Sequence, residues 1–241
     1  MPLPGARAEK EIATFTEEMR AALGDELVCL VLHGSAAGDE WVAGLSDINT
    51  AVVVPHVTLT VLERLSPLVV RWRERGFALP VVMDYEYLRH ARDTFPMELD
   101  DIGRQHRLLA GADLFAHLTL DRDALRRECE REARGKLLRL RAFFLEVGRT
   151  PAIERLMVES VKSFIVVLRH LLRLRGADGG HGYGAVLAAG EGILGPLPTM
   201  GRVVGHRAGD QHLPPATLRA EFGAYLAEVE RIVEAVDALD D

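Results

Sequence analysis

The sequence predicts an α+β fold, a mixed sheet with flanking helices over residues 1–120 followed by an α-helical bundle over 121–241. Three observations predict it. Two apolar, strand-like runs, Glu26 to His33 and Ser46 to Val54, are joined through a Gly34-Ser35 corner and a polar, Gly-containing connection. Strand and helix patterns then alternate up to about Leu120, which is how a sheet covered by helices reads. From Asp121 the spacing of apolar residues becomes helical and stays so.

The elements follow in order. Glu9 to Leu23 has helical spacing, with Ile12, Phe15, Met19 and Leu23 on one side, and is expected to pack beside the first strand. Glu26 to His33 is nearly all apolar, as in a strand buried on both faces. Gly34 lets the chain turn sharply and approach a ligand without a Cβ in the way. Ser35 is a good N-cap for the short segment that follows, and free N–H groups at such a start can seat a phosphate. In the second strand the period of two puts Asp47 and Asn49 on one face, so two oxygen-bearing side chains point together toward whatever sits on Gly34-Ser35.

Pro55 to Thr58 opens a helix that runs through Arg75 and closes at Gly76, with Leu59, Leu62, Leu65, Val69 and Trp72 at helical spacing. Ala78 to Leu88 reads as a third strand, with Asp84 and Glu86 on one face. The apolar-acidic segment Asp93 to Ile102 offers Glu98, Asp100 and Asp101. Asp121 or Asp123 caps a helix carrying Leu125, Cys129, Leu137, Leu140 and Phe144 that ends near Gly148. Thr150-Pro151 starts another, with a broad apolar face from Leu156 to Leu172 that ends at Gly176. Ala177 to Pro215, rich in Gly and Pro, reads as a mobile loop around one short helix, Tyr183 to Leu194, and its His181, His206 and His212 lack zinc-like spacing. Thr217 to Leu239 is a last amphipathic helix.

The order strand, Gly34-Ser35, about a dozen residues, Ser46-Asp47-Ile48-Asn49, strand resembles the nucleotidyltransferase superfamily related to polymerase β. Phe95-Pro-Met-Glu98, continuing into the run Leu108 to Phe115, is similar to a signature of antibiotic-modifying and uncharacterised members. The resemblance implies that Gly34, Ser35 and Ser46 hold the triphosphate of a nucleotide and that Asp47 binds magnesium. It also implies a third acid on a later element, with Glu98 ranked above Asp84, and a C-terminal helical bundle that completes an acceptor pocket. Magnesium is a hard ion that takes oxygen ligands, and it neutralises charge on the attacked phosphate. This sequence has Asn49 where the second acid of the pattern stands; an amide oxygen can coordinate metal but brings no charge, so the site is expected to hold metal more weakly.

Two functions from different classes follow. One is a magnesium-dependent transfer of a nucleoside monophosphate from a nucleoside triphosphate to a hydroxyl of a small molecule, with an aminoglycoside-like acceptor as one class. The other is a catalytically degenerate fold kept for binding a nucleotide or a protein. Of the many basic residues between Arg126 and Arg175, most are expected to pair with Glu128, Glu130 and Glu132 on a solvated face, and Lys162 is the candidate that reaches the triphosphate.

Composition sets the outer bounds. With 48% hydrophobic and 27% charged residues in 241, the chain can bury one large core or two smaller ones. Cys29 and Cys129 form neither a disulfide framework nor a zinc pattern and read as reduced thiols. The formal charge of -7 argues against indiscriminate binding to nucleic acid, and no signal peptide or membrane span is read, so the expected setting is cytoplasmic.

Overall fold

The computed structural model describes residues 6–38, 47–148, 152–177, 179–180 and 182–239. The chain divides into two compact units, Met1–Asp121 and Arg122–Asp241.

The first unit is built on a four-stranded mixed sheet in the order β3-β2-β1-β4, with β1 at Cys29–His33, β2 at Asn49–Val54, β3 at Val81–Asp84 and β4 at His106–Gly111. β1 pairs antiparallel with both β2 and β4, and β2 runs parallel to β3 through the crossover helix α2, Leu59–Arg73. Alternation along β1 splits the core in two. Leu30 and Leu32 face α1 (Ala6–Leu23) and α2, while Cys29 and Val31 face α3 (Tyr85–His90), α4 (Pro96–Arg104) and the segment that follows β4.

Helix α1 buries Ile12, Phe15, Met19 and Leu23, the stripe its spacing predicts. Phe15, Trp72 and Phe77 form an aromatic cluster with centroids 4.7 to 5.5 Å apart, and the Trp72 Nε1–H donates to Glu18 at 2.6 Å. Thr58 caps α2 by accepting from the Val61 N–H. Its buried stripe is Val61, Leu65 and Trp72, whereas Leu59 and Leu62, expected on that face, are exposed.

One expectation is corrected here. The third strand stops at Asp84, because the Asp84 carboxylate accepts from the Tyr87 N–H and caps a helix; Glu86 therefore lies in the first turn of α3 and not beside Asp84 on a strand face. The Asp93–Ile102 segment supplies α4, started by Pro96 and anchored by Met97, Leu99 and Ile102.

In the second unit α5 (Arg122–Val147), α6 (Ala152–Leu174) and α9 (Leu218–Asp237) pack on one another, with α7 (Tyr183–Leu194) and α8 (Pro198–Ala208) against α6. The stretch expected to be loop around one short helix thus holds a second helix, α8. Pro198 opens it, Gly209 closes it in the left-handed conformation, and Met200 and Val203 are buried. Ser160 Oγ and the buried Tyr225 hydroxyl are 2.9 Å apart.

The basic residues of α5 are largely paired along the helix or with α9: Arg126 and Arg134 with Glu130, Lys136 with Glu132, Arg141 with Glu230. Burial raises the pKa of the Cys29 thiol and pushes that of Cys129 up to about 12, so both behave as apolar core atoms. Among the described residues no helix is long and apolar enough to cross a membrane.

Glu228, buried on α9, is a charge the second unit depends on. Its carboxylate accepts from the N–H groups of Thr199 at 2.8 Å and Met200 at 2.7 Å, two donors that the first turn of α8 otherwise leaves unpaired. Glu228→Ala is expected to destabilise the second unit by about 2–4 kcal/mol, read as a lower urea midpoint, because two buried N–H groups lose a charged acceptor.

Candidate functional site

At one end of the sheet, β1 runs into Gly34, where φ is +69°, and a 3-10 turn over Gly34–Ala37. The conformation favours glycine, and a Cβ here would lie 3.3 Å from the Asn49 side-chain nitrogen, so the turn and β2 meet at this atom. The Gly38 N–H donates to the Ser35 carbonyl at 3.2 Å. A Cβ on Gly38 would collide with the Gln105 amide at 1.9 Å; Gln105 lies against the turn from the start of β4. Ser46 lies outside the described residues.

Entry into β2 is pinned by Ile48, whose N–H donates to Gly76 O at 2.9 Å and whose carbonyl accepts from Ala78 N–H at 3.0 Å. Ile48 is buried on the α1 and α2 side, so Asp47 and Asn49, flanking it, project from the opposite face. Asp47 is exposed and Asn49 half-buried.

Register then brings together residues far apart in sequence. Asn49 pairs with His33, and His33 pairs with His106, a polar row across three strands at the rim of the α4-side core. His106 is held from both sides, with Nδ1 3.2 Å from Gly103 O and Nε2 3.0 Å from an Asp113 oxygen. Burial works against the Asp113 charge, yet the His106 bond and the N–H groups of Ala116 and Phe115 outweigh it and hold the carboxyl below its usual range.

His33 is different. Its Nε2 is buried without a hydrogen-bond partner among the described residues. Burial lowers its pKa to about 4, with the Asp101 charge opposing that shift and His106 adding to it, so the ring is neutral at pH 7.

The acids sort by position. Glu98 sits in the first turn of α4 and is exposed; desolvation by its surroundings and the charge of Asp101 raise its carboxyl above the ordinary value. Asp101, half-buried and about one turn nearer the start of β4, is the α4 acid whose charge reaches His33. Asp100 is buried and pairs with Arg104.

Asp84 is not brought to this end. It pairs with Val54 at the far end of β2, roughly 16 Å along the strand from Asn49. Hydrogen bonds from the N–H groups of Tyr87 and Val57 engage its carboxylate and hold it below its usual range. Lys162 is an exposed residue of α6 in the second unit.

Sequence reasoning placed Gly34, Ser35, Asp47 and Asn49 but passed over His33, His106 and Asp113. The available signal was a lone histidine closing an otherwise apolar strand, at even spacing from Cys29 and Val31.

As a metal site, the face offers a carboxylate at Asp47, an amide oxygen at Asn49 and, at His33, an imidazole nitrogen lacking a partner among the described residues. The donor chemistry fits a divalent ion.

No protein-family model matches the chain, and no curated protein matches it in sequence. Among solved structures it is similar to spectinomycin adenyltransferase AAD(9) from Enterococcus faecialis, crystallised with ATP and spectinomycin. The TM-score is 0.55 at 12% identity, with 92% of this chain and 99% of that chain covered. The chain therefore has a nucleotidyltransferase-like α+β fold, a mixed four-stranded sheet with flanking helices followed by C-terminal helices.

Proposed function

We propose that this chain is a metal-dependent nucleotidyltransferase that moves a nucleoside monophosphate from a nucleoside triphosphate to a hydroxyl of a small molecule, with aminoglycoside-like acceptors as one class. The observation that carries the reading is the Gly34 turn lying against Asn49, with Asp47 on the same sheet face, in a fold shared with an ATP-binding adenyltransferase. In the transfer, the acceptor hydroxyl gives its proton to the third acid or to water, its oxygen forms a bond to the α-phosphorus, the bond from that phosphorus to the α,β-bridging oxygen breaks, and pyrophosphate leaves.

Gly34 and Ser35 present backbone N–H groups and a hydroxyl to the phosphates, with Ser46 assigned to the same task. Asp47 and the Asn49 oxygen hold the divalent ion, which when bound neutralises charge on the attacked phosphate. Asp101 takes the part of the third acid ahead of Glu98, because it is the α4 acid nearer the His33 end of the sheet, and Asp84 drops out by distance and by its capping bonds. Lys162 is the candidate cation of the second unit.

Asn49 favours a second reading, a fold that binds nucleotide without turning it over. Asn49→Asp separates the two. Restoring the charge is expected to raise magnesium affinity by about tenfold, corresponding to about 1.4 kcal/mol, and to raise pyrophosphate release in the presence of acceptor. An unchanged magnesium affinity together with unchanged pyrophosphate release favours the binding module.

A further inference from the structure

We propose that His33 supplies an imidazole nitrogen to the divalent ion held by Asp47 and Asn49, so that the site selects a borderline ion such as Mn2+, Co2+ or Zn2+ over Mg2+. The proposal deepens the transferase reading and rests on it for the location and role of the ion.

Three observations converge. Among the described residues the Nε2 of His33 is buried with no hydrogen-bond partner. Buried polar atoms nearly always have a partner, so an orphan among the described residues in this position marks a place for a further ligating group. His33 also stands directly opposite Asn49 in the β1–β2 ladder, where facing side chains have Cβ atoms about 5 Å apart, on the face from which Asp47 projects. Finally, His106, the next member of the row, is engaged by Gly103 and Asp113, which leaves His33 as the imidazole with a nitrogen to give.

The chemistry of the donors sets the preference. Carboxylate, carbonyl and water suit Mg2+, whereas a neutral imidazole suits Zn2+ and its transition-metal neighbours. Exchanging an acid for Asn49 weakens the hold on a hard ion. Adding a nitrogen from His33 restores a ligand without restoring the charge, which favours the softer ions. One carboxylate, one amide oxygen and one imidazole make three protein ligands beside the third acid, and the remaining positions stay open for phosphate oxygens.

The test uses the whole chain, freed of metal by a chelator, without nucleotide. Co2+ is titrated and followed by its visible absorption, and Mn2+ loading is examined by pulsed electron paramagnetic resonance for coupling to a 14N nucleus. The wild-type protein is expected to show 14N coupling and to bind Co2+ at least tenfold more tightly than Mg2+. His33→Gln should lose the coupling and weaken Co2+ binding by about tenfold or more while leaving Mg2+ binding in place. Asn49→Asp should narrow the preference for Co2+. Absence of the wild-type 14N signal needs no variant, so it overturns the proposal even if His33→Gln fails to fold.

Absence of 14N coupling, or Co2+ binding indifferent to His33→Gln in a folded variant, overturns the proposal. Calorimetry with ATP keeps the two readings apart. ATP binding that needs Asp47 but not His33 leaves the transferase reading standing and removes this ligand; His33-dependent Co2+ binding without any ATP binding does the reverse.

Discussion

Asp47→Asn is expected to reduce nucleotidyl transfer by a factor on the order of 1,000 or more, while leaving the fold intact. A loss of that size corresponds to about 4 kcal/mol of transition-state stabilisation, within the several kcal/mol attributed to a metal ion facing developing phosphate charge. Among the described residues Asp47 is the carboxylate on the Asn49 face of this strand, and β2 itself offers no second acid to replace its charge at that point. It is also exposed, and substitution of a surface side chain usually shifts stability by no more than about 0.5 kcal/mol. Steady-state pyrophosphate release and a thermal melt on the same preparation check both halves. Loss of activity accompanied by unfolding would assign Asp47 a structural role.

Gly111→Ala is expected to carry the largest stability effect of the glycine substitutions in the first unit. Gly111 ends β4 at φ +79°, and a Cβ there would lie 2.0 Å from the Val28 carbonyl oxygen and 2.7 Å from its carbon. Both obstacles are backbone, so β4 must draw away from β1, disturbing the ladder that carries His33 against His106. With about 1–2 kcal/mol for the left-handed conformation added to the lost pairing, a total above about 3 kcal/mol is expected, lowering Tm by roughly 10 °C or more. Gly24→Ala is the control: φ is +55° there, but nothing lies within 4 Å of the added Cβ, so only the conformational cost remains. Equal shifts in the two variants would contradict the steric account.

The sequence was most legible where a single local rule decided the outcome. Helix α1 shows its stripe because one face is buried and the other is wet, and α7 was read at its full extent from Tyr183 to Leu194. The Gly34-Ser35 corner was legible because few residues adopt the conformation Gly34 takes, and the Asp47 and Asn49 face because a strand has a period of two.

What stayed hidden depends on pairing across the chain. β4 is an edge strand that buries only Ala110 fully, so it carries little alternation to read. Glu86 looked like a strand acid because the use of Asp84 as a helix cap depends on where α3 begins. Helix α8 was masked by its glycines and prolines, although Pro198 and Gly209 sit at the positions that start and stop a helix. The His33 row depends on register between β1, β2 and β4, which no local pattern records.

Calorimetric titration of the wild-type protein with ATP, GTP and CTP, each with and without a divalent ion, bears most directly on nucleotide transfer by this fold. At least one nucleoside triphosphate is expected to bind with a submillimolar Kd when Mg2+ or Mn2+ is present, and much more weakly in chelator. Absence of binding at millimolar nucleotide with either ion, in the wild-type protein and in Asn49→Asp alike, would contradict it.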